Sequence, residues 1–259
     1  MKSKFTDTHC HAFWDFDDGV KTKEEALALL RCAESTGIAT LFVTPHKIVD
    51  GLYDPSVEQI QQKLDDLKQL RDQHKIIVEL KSACEFRIHE HILSSIAQRN
   101  FVCYQDTDYL LIEFTRRMVD SRIVADAIHE LRMLGVRSIV AHPERYFDTP
   151  KQAVDACKRW SKLGVYFQIN RTSLMGIHGE RADRISWQLV SEGLAHLVAS
   201  DAHQGEGRRE CRLDDVFGMI GRRFDQRTAQ LLCMDNPRAL YENKDLEPIA
   251  VKRPWWHRL

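Results

Sequence analysis

The chain has no Cys-x-x-Cys pair, no apolar run long enough to cross a membrane and no stretch rich in proline, glycine or serine that would mark a linker. Its seven cysteines are an odd number, so free thiols in a reducing compartment are expected rather than a disulfide framework. It also lacks an excess of either charge. With 37 basic and 38 acidic residues the net charge is -1, and no global field draws the protein to nucleic acid or to anionic lipid. An anionic ligand would have to be gripped locally. The opening "MKSKFTDTHCH" is too polar for a signal peptide, so a cytoplasmic protein without membrane insertion is expected. At 259 residues and 43% hydrophobic, the chain can bury one large core. A single domain over 1–259, with a short C-terminal tail from about 245, is expected.

What the chain does have is a repeated unit. Short segments rich in Val, Ile, Leu and Phe alternate with longer amphipathic ones, and a glycine often stands between them, as in "STG-IATLFVT", "MLG-VRSIVAH", "KLG-VYFQIN" and "SEG-LAHLVAS". Gly37, Gly135, Gly164 and Gly193 fall where a helix end needs a left-handed residue, directly before a buried strand. Thr22 with Glu25, and Ser56 with Gln59, have the spacing of a helix-opening capping box. Strands are expected to begin near Phe5, Ile38, Ile77, Tyr109, Ser138, Val165 and His196. Seven such units predict an α/β fold, a parallel (β/α)7 barrel with one unit fewer than the usual eight.

The residues that end these strands point to chemistry. They are His9 and His11, His46 in "VTPH", Glu85 in "SACE", Glu113 in "LLIEF", His142 in "IVAH", Asn170 in "FQIN", and Asp201 with His203 in "VASDAH". Residues two apart on a strand face the same side, so His9 and His11 could share an ion, and Asp201 and His203 repeat that spacing. In a parallel barrel all these ends converge on one face. Imidazole and carboxylate without thiolate favour manganese, iron or zinc in a catalytic setting. Counting Asp18 of "DFDDG", the donors outnumber what one ion needs and suit a cluster of two or three.

In this order, "DTHCH", "DFDDG", "VTPH", "CEF", "LIEF", "AHPERY", "QIN", "ASDAH" and "DNPRAL" resemble the PHP (polymerase and histidinol phosphatase) superfamily almost end to end. The resemblance is closest to its manganese-dependent bacterial protein-tyrosine phosphatases of capsule and exopolysaccharide synthesis. It implies a distorted (β/α)7 barrel of PHP type carrying three metal ions, Mn2+ first, with Fe or Zn as alternatives. It implies that His9, His11, Glu85 and Asp201 hold one ion, that Glu85 bridges to a second held by Glu113 and His142, and that Asp18, His46 and His203 hold a third. It also implies that Arg145 of "AHPER" and Arg208, in the loop after "SDAH", grip the phosphate. The implied partner is a tyrosine-phosphorylated protein, a bacterial tyrosine autokinase.

The expected reaction is phosphotyrosine hydrolysis by attack of a metal-bound hydroxide, with clustered ions neutralising the phosphoryl oxygens. A small-molecule phosphomonoesterase acting on histidinol phosphate or a nucleotide would use the same metals. A partner-binding barrel without catalysis should lack a ligand, and none is missing. A thiol mechanism at Cys10 needs an arginine six residues on, where Phe16 stands. Solvated surface is expected for Arg116-Arg117 and Arg222-Arg223, although Arg116 and Arg117 lie just beyond Glu113 and could meet an acidic phosphopeptide. His74, His89, His91, His129, His178 and His196 are expected to be structural or exposed. Trp255-Trp256 could bind a partner, or pack on the barrel or at an oligomer contact.

Overall fold

The computed structural model describes residues 5–119 and 121–250. The Trp255-Trp256 strip therefore lies outside the described residues. Every strand pairing is parallel. A three-stranded sheet has the order β1 (Phe5–Asp7), β2 (Ile38–Val43), β4 (Glu79–Ser82). A six-stranded sheet has the order β3 (His46–Lys47), β5 (Glu85–Ile88), β6 (Tyr109–Phe114), β7 (Arg137–Ala141), β8 (Tyr166–Asn170), β9 (Leu197–Ala199).

The expected closed seven-strand barrel is corrected in two respects. Two of the seven extended segments are broken. The segment from Ile38 stops at Val43 and resumes at His46, because Pro45 has no N–H to donate to a ladder; the segment expected from Ile77 begins at Glu79 and is split between Ser82 and Glu85. Single bonds carry the alignment across these breaks, Ala83 N donating to Val43 O at 2.9 Å and Glu85 N to Pro45 O at 2.9 Å. The ladder also does not close. Between the ends of β1 and β9 there is only the isolated bridge of Cys10 with Ala202, since Asp201 turns into the left-handed region (φ 50°) just beyond β9.

The helices follow the sequence pattern. Lys23–Ser35 buries Ala26, Leu29, Leu30 and Ala33, and Arg122–Met133 buries Val124, Ala127, Ile128 and Leu131. Both sets have the i, i+3, i+4, i+7 spacing that makes one apolar stripe. Ser56 and Gln59 form the expected capping box, whereas Thr22 accepts from Glu25 N while the Glu25 carboxylate turns to Lys21 N. A further box, Thr149 with Gln152, opens Pro150–Ser161. Gly37, Gly135, Gly164 and Gly193 all have positive φ, between 70° and 87°, as the helix-to-strand reading required.

The loop after β9, which carries Asp201 and His203, lies directly on the first helix. A Cβ at Gly205 would sit 2.5 Å from Ala28 C and from Leu29 N, both in the helix backbone. Gly205→Ala must therefore push loop and helix apart. Overpacking of this kind costs about 1–3 kcal/mol, or a fall in Tm of roughly 2–10 °C for a chain of this size. Thermal unfolding of the chelator-treated protein measures it; an unchanged Tm would show that the loop moves freely over the helix.

Candidate metal centre

Beyond β1 the chain continues extended, and the two-residue spacing does what the sequence required. His9 and His11 both turn inward, their Nε2 atoms 3.2 Å apart. Cys10, between them, is fully buried and its N–H donates to Thr44 Oγ1 at 3.0 Å. Each imidazole is oriented through its other nitrogen. His9 Nδ1 lies 2.8 Å from Gln168 Oε1 and His11 Nδ1 lies 2.7 Å from Asp17 Oδ2. Both partners accept, so both Nδ1 atoms carry the proton and both Nε2 lone pairs face the same space. Asp17 is itself held by Gly19 N at 2.9 Å and His46 N at 3.0 Å. Glycine is required at position 19, where a Cβ would stand 2.4 Å from His11 O.

Glu85 is the hub. Its Oε2 lies 3.4 Å from His9 Nε2, 3.5 Å from His11 Nε2 and 3.0 Å from His46 Nδ1; its Oε1 lies 2.7 Å from His142 Nε2. Asp201 Oδ1 completes the first group, at 3.5 Å from His9 Nε2 and 3.6 Å from His11 Nε2. Two donors about 2.1 Å from one ion stand about 3.0–3.4 Å apart at angles near 90–110°. The observed spacings are those of neighbouring vertices of one coordination shell.

Asp18 reaches in from the mouth, its Oδ1 3.2 Å from His46 Nε2 and 3.3 Å from His203 Nε2. Glu113 Oε1 lies 3.2 Å from His46 Nδ1 and accepts from Arg87 Nε at 2.9 Å. The donors form three groups whose ligating atoms lie within 4.8 Å of one another: His9, His11 and Asp201; His46, Glu85 and Glu113; and Asp18, His46 and His203 with His11. His46 thus stands with Glu113, whereas the implied second set paired Glu113 with His142. His142 meets Glu85 instead, and its own Nδ1 is buried without a partner. Arg145 Nη1 is 3.4 Å from Asp201 Oδ2. Arg208 is exposed, and among the described residues its side chain makes no hydrogen bond or ion pair.

The electrostatics call for added positive charge. Glu85 is 1% exposed and, among the described residues, its ion-pair partners are all imidazoles, an arrangement that leaves a buried carboxylate undercompensated. Burial opposes its ionisation, yet His9 and His46 hold its carboxyl well below the usual range. Burial likewise opposes a proton on His11, but the Asp17 carboxylate outweighs it and lifts the imidazole to about 10. Asp17 answers by falling to about 2: burial would raise it, and the His11 charge more than reverses that. A divalent cation can take the place of these imidazole protons: it would leave the two Nε2 lone pairs facing it, beside carboxylates that stay ionised. The donor set contains no thiolate.

Four residues here escaped the sequence reading. Asp17 is the neighbour of the recognised Asp18. Arg209 donates from Nη2 to Asp201 O at 3.2 Å and pairs with Asp201 Oδ2 at 3.0 Å, one position beyond Arg208. Asn170, recognised only as a strand end, donates from Nδ2 to Asp201 Oδ2 at 2.6 Å. Gln168, two residues before Asn170 on β8, faces the same side by strand alternation and could have been found that way. Of the histidines expected to be structural, His196 accepts from Phe167 N through Nδ1, and burial lowers it to about 4. His178 stands nearer the centre; burial, then the Arg145 charge, lower it to about 4.

The profile of the family described as "Capsular polysaccharide synthesis, CpsB/CapC" matches residues 5–242. CapC of Staphylococcus aureus is 32% identical over 76% of each chain. Tyrosine-protein phosphatase YwqE of Bacillus subtilis is 28% identical over 95% of this chain and 96% of its own. A solved structure from work on YwqE of Bacillus subtilis and CpsB of Streptococcus pneumoniae, described as unique metal-dependent tyrosine phosphatases, superposes with a TM-score of 0.84 at 26% identity, covering 94% of this chain and 96% of that one.

Metal content should separate holding an ion from orienting its ligand. Asp17→Asn removes the charge behind His11 but no donor, so metal affinity should fall about 10- to 100-fold while excess metal restores full occupancy. Glu85→Ala removes an oxygen from more than one group and should release more than one equivalent at any concentration. Titration with elemental analysis decides; equal single-ion losses in both variants would remove Glu85 from its central place.

Proposed function

The chain belongs to the CpsB/CapC family, and from that premise we propose that it is a metal-dependent phosphatase that hydrolyses phosphotyrosine on proteins. The observation that carries the proposal is Glu85, one carboxylate turned with both oxygens toward four imidazoles at the ends of parallel strands. The physiological substrate in this reading is a bacterial tyrosine autokinase of capsule or exopolysaccharide synthesis; the family description supports the capsule setting, and the autokinase is what the sequence resemblance implies. The chain is read as one cytoplasmic domain over 1–259. All seven cysteines are free, and among the described residues no helix is long and apolar enough to cross a membrane. The two parallel sheets are read as parts of a distorted, open (β/α)7 barrel, with the Cys10–Ala202 bridge bringing the β1 and β9 ends side by side.

The proposed ligands are His9, His11, Glu85 and Asp201 for a first ion, Glu85, Glu113 and His142 for a second, with His46 close to both carboxylates, and Asp18, His46 and His203 for a third. Mn2+ is the proposed metal, supported by imidazole and carboxylate donors without thiolate; iron and zinc share that preference in part. Bound ions supply an acidified water at neutral pH and neutralise the phosphoryl oxygens. The protein's own groups do the rest. Arg145 spends one N–H on Asp201 and keeps its other donors for the phosphoryl group, and exposed Arg208 has its whole guanidinium available. Arg209 and Asn170 hold Asp201 Oδ2, leaving Oδ1 directed at His9 and His11. A tyrosine leaving group, with a pKa of about 10, needs little help from a general acid.

Chelation should abolish hydrolysis of an aryl phosphate, and manganese should restore it. Cys10→Ser should keep most of the rate, because Cys10 is fully buried and burial pushes its thiol upward, away from the reactive thiolate. A panel of phosphotyrosine, phosphoserine, histidinol phosphate and mononucleotides tests the substrate class. A dead Cys10→Ser protein that retained its metals, or a clear preference for histidinol phosphate, would overturn the reading.

The two neighbouring arginines should behave differently. Losing a charge-assisted two-pronged contact costs on the order of 1.5–3 kcal/mol, about 10- to 100-fold. Arg208→Lys should therefore keep full metal content and lose at least about tenfold in kcat/KM on phosphotyrosine peptides, as should Arg145→Lys. Arg209→Lys should instead weaken metal binding through Asp201. Wild-type rates for Arg208→Lys would place phosphate recognition elsewhere.

A further inference from the structure

Beside the metal centre, on the side of β6 and β7, lies a cleft of about 420 Å³ whose walls include Arg116, Arg117, Tyr146, Phe147, Asp148 and Arg159. Its floor is the back of the centre. The buried Tyr146 ring packs 5.6 Å from the His142 ring and 4.7 Å from Phe114, the neighbour of Glu113, and its hydroxyl donates to Ala141 O at 2.8 Å. Arg116 is anchored against this floor by a bond from Nε to Tyr146 O at 3.3 Å and by the Asp148 carboxylate. Nothing in the metal site uses these arginines.

The Asp148 carboxylate on the cleft wall is already committed, shared by Arg116 and by Arg181, the latter at 3.3 Å. Arg117 is exposed, and among the described residues its side chain makes no ion pair or hydrogen bond. A guanidinium at the rim of a cleft, above an aromatic floor and beside a committed acid, is complementary to a carboxylate that arrives with a ligand.

We propose that this cleft is a docking subsite for an acidic side chain flanking the phosphotyrosine of a protein substrate. The inference rests on the phosphatase reading and adds to it the chemistry of the neighbouring residue. The geometry allows it. Arg116 follows Glu113 by three residues, which span at most about 10 Å, and the Tyr146 ring lies 5.6 Å from the His142 ring, so the cleft opens within that reach of the centre. An extended peptide advances about 3.3–3.6 Å per residue, so a Glu or Asp one to three positions from a phosphotyrosine held at the metals reaches Arg117. A small aryl phosphate has nothing to place there.

The test uses the metal-loaded full chain, two phosphotyrosine peptides identical except for Glu or Lys at the flanking positions, and p-nitrophenyl phosphate. The wild-type protein should show a KM about fivefold or more lower for the Glu peptide, at similar kcat, with the difference shrinking in high salt. Arg117→Glu should raise KM for the Glu peptide about tenfold and lower it for the Lys peptide, and Arg117→Ala should abolish the difference. Both variants should hydrolyse p-nitrophenyl phosphate as the wild-type protein does. Equal KM values for the two peptides, or variants that shift both peptides alike, would overturn the docking assignment while hydrolysis itself persists. Absence of hydrolysis of all three substrates would overturn the phosphatase reading, and this inference with it.

Discussion

A carboxylate buried to 1% exposure and paired, among the described residues, with imidazoles rather than with lysine or arginine is the constraint around which this protein is arranged. Glu85 stays ionised only because His9, His11, His46 and His142 surround it, and imidazoles can do so only if several strands end at the same depth. Parallel strands meet that requirement, since all their carboxyl ends lie on one side. The same demand explains the order in the surrounding layer. A ring that must present Nε2 inward needs an acceptor on Nδ1, and Gln168 and Asp17 are those acceptors for His9 and His11.

The backbone bears part of the cost. His142 and Asp201 both lie in the left-handed region, at φ 34° and 50°, where a residue with a Cβ loses about 1–3 kcal/mol. Their surroundings hold them there. Asn170 and Arg209 grip Asp201, and Glu144, buried beside His142, accepts from Asn170 N at 3.0 Å. At the seam between β1 and β9, where the ladder has shrunk to one bridge, Asp7 takes over. Its carboxylate accepts from Ser200 N at 3.0 Å and from Ser200 Oγ at 2.5 Å, so a side chain ties together two strands whose backbones are turned toward the metals.

Much of this was legible because strand-end chemistry repeats at intervals a reader can count. His9 with His11, Asp201 with His203, and the glycine before four of the strands are local patterns, and local patterns survive folding. What was not legible depends on loops and on distant pairing. "DFDDG" offers two adjacent aspartates, and only the turn at Asp15 (φ 51°) decides that Asp17 supports His11 while Asp18 faces His46 and His203. In the same way only the loop path after His203 decides that Arg209, not Arg208, meets Asp201. Of the breaks at Pro45 and after Ser82, only the first had a visible signal, the missing N–H of Pro45.

The arrangement of open space bears on whether the ligand is a free metabolite or a side chain on a polypeptide. A metabolite is best held in one enclosed pocket that buries most of its surface. Here clefts on two sides of the centre are found among the described residues. One, of about 700 Å³, is lined by Asp18, His203 and Arg209 on the side of β1 and β9; the other lies behind His142 and Glu113 on the side of β6 and β7. The donors between them are graded in exposure, from the buried His9, His11 and Glu85 to Asp18, whose side chain is half exposed. A phosphoryl group therefore has to enter from the Asp18 side, and whatever carries it has room on both flanks. That geometry suits a tyrosine presented by a chain lying across the mouth.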